Sequence, residues 1–329
     1  MRAWVVERLT EAGEMALLER PDPVPGPGEC VVEVECAGVN FSDTLMLRGR
    51  YQRKPPLPFT PGIEAAGTVL AAGPGCTVAV GARVCASLPS GGYAERVVVP
   101  AGAARPIPAD VPAEAGLVLL GINYPTSYHA LHGRAAIRTG ETVLVHAGAG
   151  GVGSAAVQIA VAAGCRVIAT AGTAEKLEVC RGLGAELALD YTDPGWFDRL
   201  RAEVPGGVDV VYDPVGGEVG VQSLRALAWR GRYLVVGFAA GPLTQLAANR
   251  LLLKEASALG VFWGEARLRD PDEAARVGEA VLTLYRAGRL DPLVGGRYPL
   301  ERAEAALAAL AARRTVGKVL LLPRMDTAT

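Results

Sequence analysis

Residues 146–160, HAGAGGVGSAAVQIA, set Gly148, Gly150 and Gly153 in a G-x-G-x-x-G spacing. Glycines so placed let a backbone turn tightly and approach a pyrophosphate. A helix that follows offers its first N–H groups and the positive end of its dipole. The spacing means little without its context, which here is present: TVLVHA (142–147) reads as a buried strand, GGVGSAAVQIAVAAG as a helix, and RVIAT as the next strand. A dinucleotide site is expected, with Gly148, Gly150, Gly151, Val152 and Gly153 around the phosphates; an ordinary tight βα turn is the bland alternative. The second strand runs into IATAGTAEK. An NAD site places Asp or Glu near this tip for the ribose 2′-hydroxyl. Here the tip is Thr170-Ala171-Gly172-Thr173, and Lys176 follows, one of four lysines in the chain. Small polar groups and a cation suit a 2′-phosphate. NADP(H) is therefore expected over NAD(H), with Gly172, Thr173 and Lys176 as contacts. Glu175, and a purely solvated Lys176, argue the other way.

A second chemical question is posed by FTPGIEAAG (59–67), which puts Glu64 in a glycine-bracketed apolar turn. A carboxylate there needs a partner. Few metal ligands are at hand. The six cysteines, at 30, 36, 76, 85, 165 and 180, form no CxxC pair, and of the three histidines, His129, His132 and His146, each reads as packing or solvated. Scattered thiols fit a reducing, cytoplasmic setting.

The elements that must position these groups fall into three stretches. Up to Pro100, short apolar or alternating runs broken by Pro and Gly read as β-rich. From about Ala113 the spacing becomes helical, with breaks at Gly121 and Pro125, and strands and helices then alternate: TVLVHA, RVIAT, VDVVYD, GRYLVVG and ASALGVF are the strands. That alternation predicts an α/β fold with a doubly wound parallel sheet. In such a sheet ligands sit at the C-terminal ends of strands, which places Gly237 and Phe238 of VVGFAAG at the site. Two helices and a terminal strand, GKVLLLP, close the chain and return to the first domain. The expected division is 1–121 with 264–329, and 122–263 for the dinucleotide domain. With 33 basic and 34 acidic residues the net charge is −1, which gives no electrostatic footprint for nucleic acid or a membrane surface. The uncharged span 142–165 is long enough to mimic a membrane helix, but its glycines make it strand, turn and helix, and the charged N-terminus shows no signal peptide.

The motifs AGVNFSDTLMLRGRY (37–51), PGIEAAGTV (61–69), YPTSYHAL (124–131), GETVLVHAGAGGVGSAAVQIA (140–160) and GKVLLLP (317–323) resemble the medium-chain dehydrogenase/reductase superfamily, most closely its zinc-free, zeta-crystallin-like quinone oxidoreductase branch. The resemblance covers essentially the whole chain. It implies a Rossmann domain beside a GroES-like, partly barrel-shaped catalytic domain, and a homodimer formed through the edge strand near SALGVFW. Zinc-dependent relatives carry Cys where this chain has Asn40 and His where it has Ile63. Ile63 has no donor and Asn40 is a poor zinc ligand, so no metal is expected. Glu64 is expected to accept hydrogen bonds or pair with an arginine.

The resemblance also implies site roles. Asn40 is placed near the cofactor, holding the nicotinamide ribose or a substrate carbonyl, with an ordinary turn residue as the alternative. Asp43 is a cofactor contact or a helix cap. Tyr51 matches a tyrosine implicated as proton donor in enoyl reductases, or packs as an aromatic. Thr126 approaches the nicotinamide, Tyr191 and Lys176 flank the adenine ribose phosphate, and Arg313 resembles a late cofactor contact. Leu45 departs from relatives with an aromatic at its position. Without a Lewis acid, alcohol oxidation gives way to hydride transfer from NADPH to electron-poor acceptors. The leading expectation is a quinone or activated-alkene reductase. An enoyl- or acrylyl-CoA reductase is the second, for which the basic run RGRYQRK (48–54) is suggestive, and a non-catalytic NADPH-binding protein is the third.

Overall fold

The computed structural model describes residues 1–325 and divides into two compact units, Met1–Ile122 with the chain from Leu293 onward, and Asn123–Pro292. In the second unit six strands form one parallel sheet. Across the sheet they run Leu187–Asp190, Arg166–Ala171, Thr142–Val145, Val208–Asp213, Leu227–Val235 and Ser257–Gly260. Numbered along the chain this is the order 3-2-1-4-5-6 of a doubly wound dinucleotide fold, whose direction reverses between Thr142–Val145 and Val208–Asp213. The central strands read as unbroken apolar runs because helices cover both faces. Val143, Leu144, Val145, Val210, Val211 and Tyr212 are all fully buried.

The first unit is built on a seven-stranded sheet. Its long central strand, Glu29–Val39, lies between the terminal strand Lys318–Leu322 and Glu64–Ala72, antiparallel to both. Leu320 stands opposite Gly38, and Ala65 opposite Ala37. The core beneath gathers Val32, Val34, Val69, Val84, Tyr93, Val99, Leu300 and Leu321.

The return to the first unit, expected at residue 264, comes at Leu293. The reason is packing. Helix Pro271–Arg286, started by Pro271 and by Asp270 accepting the Glu273 N–H at 2.7 Å, buries Ala274, Val277, Val281 and Leu282 in the second unit. His129 Nδ1 meets Glu273 Oε1 at 2.8 Å. Further on, Gln158 clasps Asp291 by both backbone groups, accepting its N–H at 2.6 Å and donating to its carbonyl at 3.0 Å. The helical stretch after Ala113 forms Ala113–Leu120 and Asn123–Tyr128, then widens into a π-helical turn over His129–Arg134. The break expected at Gly121 is present, but the one expected at Pro125 is not: Pro125 lies in the first turn of a helix, where a missing N–H costs no bond. No helix among the described residues is long and apolar enough to cross a membrane.

Candidate functional site

The glycine loop leaves strand Thr142–Val145 through Ala147, which sits in the left-handed region at φ 50°, and enters helix Gly151–Ala162. Gly148 N–H is tied to Thr170 O at 2.9 Å and Gly150 N–H to Ala147 O at 2.8 Å. Gly150 is the N-cap and no side chain caps the helix, so its first turn keeps the donor set that binds anions. A Cβ on Gly153 would fall onto the carbonyl oxygen of Ala147, and one on Gly148 would lie 2.8 Å from Ala169 Cβ and 2.9 Å from Cys180 Sγ. A side chain at either position would push the loop, helix and neighbouring strand apart, so these glycines keep the close packing that a dinucleotide pyrophosphate site requires.

The other candidates of the second unit converge on the same end of the sheet. Ser127 Oγ bonds Val152 O at 2.8 Å and Tyr212 OH at 2.9 Å, which bolts the helix carrying Thr126 to the loop. Gly237 N–H reaches Asp213 O at 3.3 Å. Phe238 packs so that a Cβ on Gly216 would stand 3.1 Å from its ring. At the next strand tip, Gly172 lies under Tyr191, whose hydroxyl would be 3.0 Å from an added Cβ. Thr173 caps helix Ala174–Gly182 by accepting the Lys176 N–H at 3.3 Å. That bond does not use its hydroxyl hydrogen, which leaves Thr173 able to donate. No carboxylate stands on the tip itself: Asp190, beside Tyr191, turns its Oδ1 to Thr192 instead.

Asn40, Asp43, Tyr51 and Arg313 belong to the first unit. Arg313 follows helix Ala303–Ala311 in the left-handed region, at φ 56°. Tyr51 is half-buried against the core, and burial pushes its phenol above the ordinary value, so it carries its proton at neutral pH. Asn40 is the N-cap of helix Phe41–Leu47, and Asp43 Oδ2 reaches back to accept its backbone N–H at 2.8 Å. The capping alternative for Asp43 is the one the geometry displays. Its carboxyl is wholly buried and also accepts from Tyr93 OH at 2.7 Å, while Oδ1 has no partner.

Burial pushes the Asp43 carboxyl up to about 7, against hydrogen bonds from Tyr93 and Asn40 that pull it down. Between its ordinary value and about pH 7 the folded protein therefore holds a proton that the unfolded chain has released. Stability should fall as pH rises through that window, by up to about 1.4 kcal/mol per unit, and level off above it. Asp43→Asn should remove that slope in urea unfolding at pH 5 and 7.5. An unchanged slope would exclude Asp43 as its source.

Glu64 is fully buried at the head of its strand. It accepts hydrogen bonds, one of the two roles expected from sequence, and its ionic partner is Lys318, itself 2 % exposed, rather than an arginine. Glu64 Oε1 accepts from Lys318 Nζ and from Asn40 Nδ2 at 2.9 Å, and Oε2 accepts the Ile122 N–H at 2.8 Å. Lys318 Nζ also donates to Asn40 Oδ1 at 2.6 Å. The strands of Glu64 and Lys318 flank the strand of Gly38, and the pair meets only because Gly38 has no side chain. A Cβ there would strike the Glu64 carboxylate and sit 2.6 Å from Lys318 Cε. This donor set does not fit zinc: an ammonium already neutralises Glu64, Ile63 is an apolar core residue, and no cluster of three His, Cys, Asp or Glu suited to a metal occurs among the described residues. Sequence reading missed Lys318. A lysine opening an otherwise apolar strand was the available signal.

Fold and site together define an α/β oxidoreductase with a nucleotide-binding Rossmann unit and a second, β-rich unit. Residues 26–109 match the alcohol dehydrogenase GroES-like domain, and residues 151–278 match a domain described as zinc-binding dehydrogenase. The chain is 38% identical over 316 residues to quinone oxidoreductase-like protein 2 of Rattus norvegicus, covering 95% of this chain and 90% of that one. It superposes on a mycobacterial protein solved with NADPH at a TM-score of 0.91 and 36% identity, covering 98% and 100% of the two chains. It superposes on the quinone oxidoreductase of Thermus thermophilus, also solved with NADPH, at 0.82 and 39%, covering 98% and 100%. The chain belongs to the medium-chain dehydrogenase/reductase superfamily, in its quinone oxidoreductase-like branch.

Proposed function

We propose that this protein is an NADPH-dependent, zinc-independent reductase acting on quinones or other α,β-unsaturated carbonyl compounds. The observation that carries the reading is the strand tip Ala171-Gly172-Thr173 under Tyr191, which offers a hydroxyl, backbone groups and the nearby Lys176 where an NAD site needs a carboxylate. Bound NADPH supplies the hydride. The first turn of helix Gly151–Ala162 holds the pyrophosphate, with Gly148, Gly150, Gly151, Val152 and Gly153 around it. Gly172, Thr173, Lys176 and Tyr191 take the 2′-phosphate, Thr126, Gly237 and Phe238 the nicotinamide end, and Arg313 and Asn40 are further cofactor contacts in this reading. Asp43 acts behind Asn40 as its cap. Tyr51 keeps a proton at neutral pH and gives it to the carbon or oxygen that becomes basic once hydride has arrived.

The deciding assay is NADPH oxidation against quinones, enones and acyl-CoA thioesters. Turnover of quinones and enones is expected. Turnover confined to acyl-CoA would favour the thioester reductase, and tight NADPH binding without turnover would favour a non-catalytic role. Tyr51→Phe should lower kcat with enones about 100-fold while sparing KM for NADPH. Quinones should respond less, because a reduced quinone takes protons from water. An unaltered enone kcat would remove Tyr51 from the chemistry. The same reading makes the protein a homodimer through edge strand Ser257–Gly260, near which Leu252, Leu253 and Phe262 are exposed. A monomer mass by light scattering would refute it.

A further inference from the structure

We infer that Lys318 and Glu64 are positioning residues that set the direction of the Asn40 amide, so that Asn40 meets a ligand as a hydrogen-bond acceptor only. The inference rests on the proposed contact between Asn40 and the cofactor. An asparagine amide has two ends of nearly equal size, and its neighbours decide which end is oxygen. Here the neighbours leave one answer. The two hydrogens of Nδ2 go to Gly38 O at 3.2 Å and Glu64 Oε1 at 2.9 Å, and Oδ1 takes a hydrogen from Lys318 Nζ at 2.6 Å. Turned over, the amide would set its NH2 against an ammonium and its oxygen against a carboxylate and a carbonyl.

The frame that holds it is buried and bonded from several sides. Lys318 and Glu64 are buried at 2 % and 0 % exposure, Glu64 is anchored from the other side by the Ile122 N–H, and Gly38 leaves room for the pair to cross its strand. Asn40 itself is only partly buried. Both amide hydrogens are engaged inward, so any further hydrogen bond to Asn40 is accepted at Oδ1, which takes the Lys318 hydrogen and faces the Asp43 N–H of the capping box. The complementary ligand group is therefore an O–H or N–H donor, such as a ribose hydroxyl. A substrate carbonyl oxygen finds no donor on Asn40. Of the two roles open to Asn40 in the sequence, this selects the first, and it leaves Tyr51 as the group that addresses the substrate oxygen.

The test uses the full-length protein and two probes: NADPH, and 2′,5′-ADP, which carries the phosphorylated adenosine but no nicotinamide. Lys318→Met with Glu64→Gln neutralises both partners at similar size. It should weaken NADPH about tenfold, the value of one hydrogen bond, and leave 2′,5′-ADP within about twofold. Asn40→Ala should weaken NADPH by the same factor, and adding it to the double variant should cost nothing more, because the three side chains act as one unit. NADPH affinity unchanged in the double variant but lowered in Asn40→Ala would overturn the inference. So would a parallel loss of 2′,5′-ADP, which would signal general damage. NADPH binding unchanged in Asn40→Ala would instead overturn the cofactor contact on which the inference rests. A measurement on the unaltered protein does not depend on any variant folding: the Asn40 Nδ2 hydrogens, followed by nitrogen-15 NMR, should exchange slowly with water before NADPH is added. Exchange at the rate of an exposed amide would sink the proposal.

Discussion

Gly153→Ala is expected to abolish measurable NADPH binding and to lower stability at the same time. The added methyl would land on the Ala147 carbonyl oxygen, 2.8 Å from its carbon and 3.1 Å from Gly148 Cα, all of them backbone atoms that no rotamer change can move aside. Helix Gly151–Ala162 would have to lift away from the loop, and forced overpacking of this kind costs about 1–3 kcal/mol. The same shift withdraws the first-turn N–H groups from the phosphates, so binding suffers more than stability. Gly150→Ala separates the two effects. Its only neighbour is Ala147 O at 3.2 Å, so the fold should survive, while the methyl on the N-cap stands in the way of the pyrophosphate. Calorimetric titration with NADPH and urea unfolding of both variants check this. Wild-type affinity in Gly153→Ala would remove the loop from the cofactor site.

Lys318→Met alone should destabilise the protein by about 3–5 kcal/mol, the range for breaking one side of a buried ion pair. That is a large part of the roughly 5–15 kcal/mol that holds a protein folded. The loss comes from what remains. Glu64 would be left fully buried with Asn40 and the Ile122 N–H as its donors and no cation beside it. Adding Glu64→Gln should recover most of the loss, since replacing a whole buried pair by neutral groups of like volume is often close to neutral. Urea unfolding of the single and double variants measures both steps. A single variant within about 1 kcal/mol of wild type would show that the Lys318–Glu64 contact does not hold this sheet together.

The Rossmann unit was legible because its signals are local. The glycine spacing, the apolar strand before it and the acid-free tip Thr170-Ala171-Gly172-Thr173 all lie within about one βαβ repeat. The structure gathers Thr126, Gly237, Phe238 and Tyr191 around that loop and its neighbouring strand ends, each at a strand end or on a helix bonded to the loop. What stayed hidden depends on contacts far apart in the chain. Residues 264–292 look helical in large part whichever unit owns them, and the burial of helix Pro271–Arg286, with the clasp of Gln158 on Asp291, 133 positions away, holds them to the second.

Composition and spacing by themselves determined an α/β chain, the glycine loop between its strand and helix, and Asn40 and Ile63 where zinc-dependent relatives carry ligands. Only the tertiary structure decided what Glu64 is for. Its partner lies 254 residues away, and Asn40 lies 278 residues from that same lysine. The three meet because two strands happen to flank Gly38 in one antiparallel register. A periodic pattern reports which residues face inward. It does not report which strand lies beside which, and for a buried charge that neighbour is the whole question.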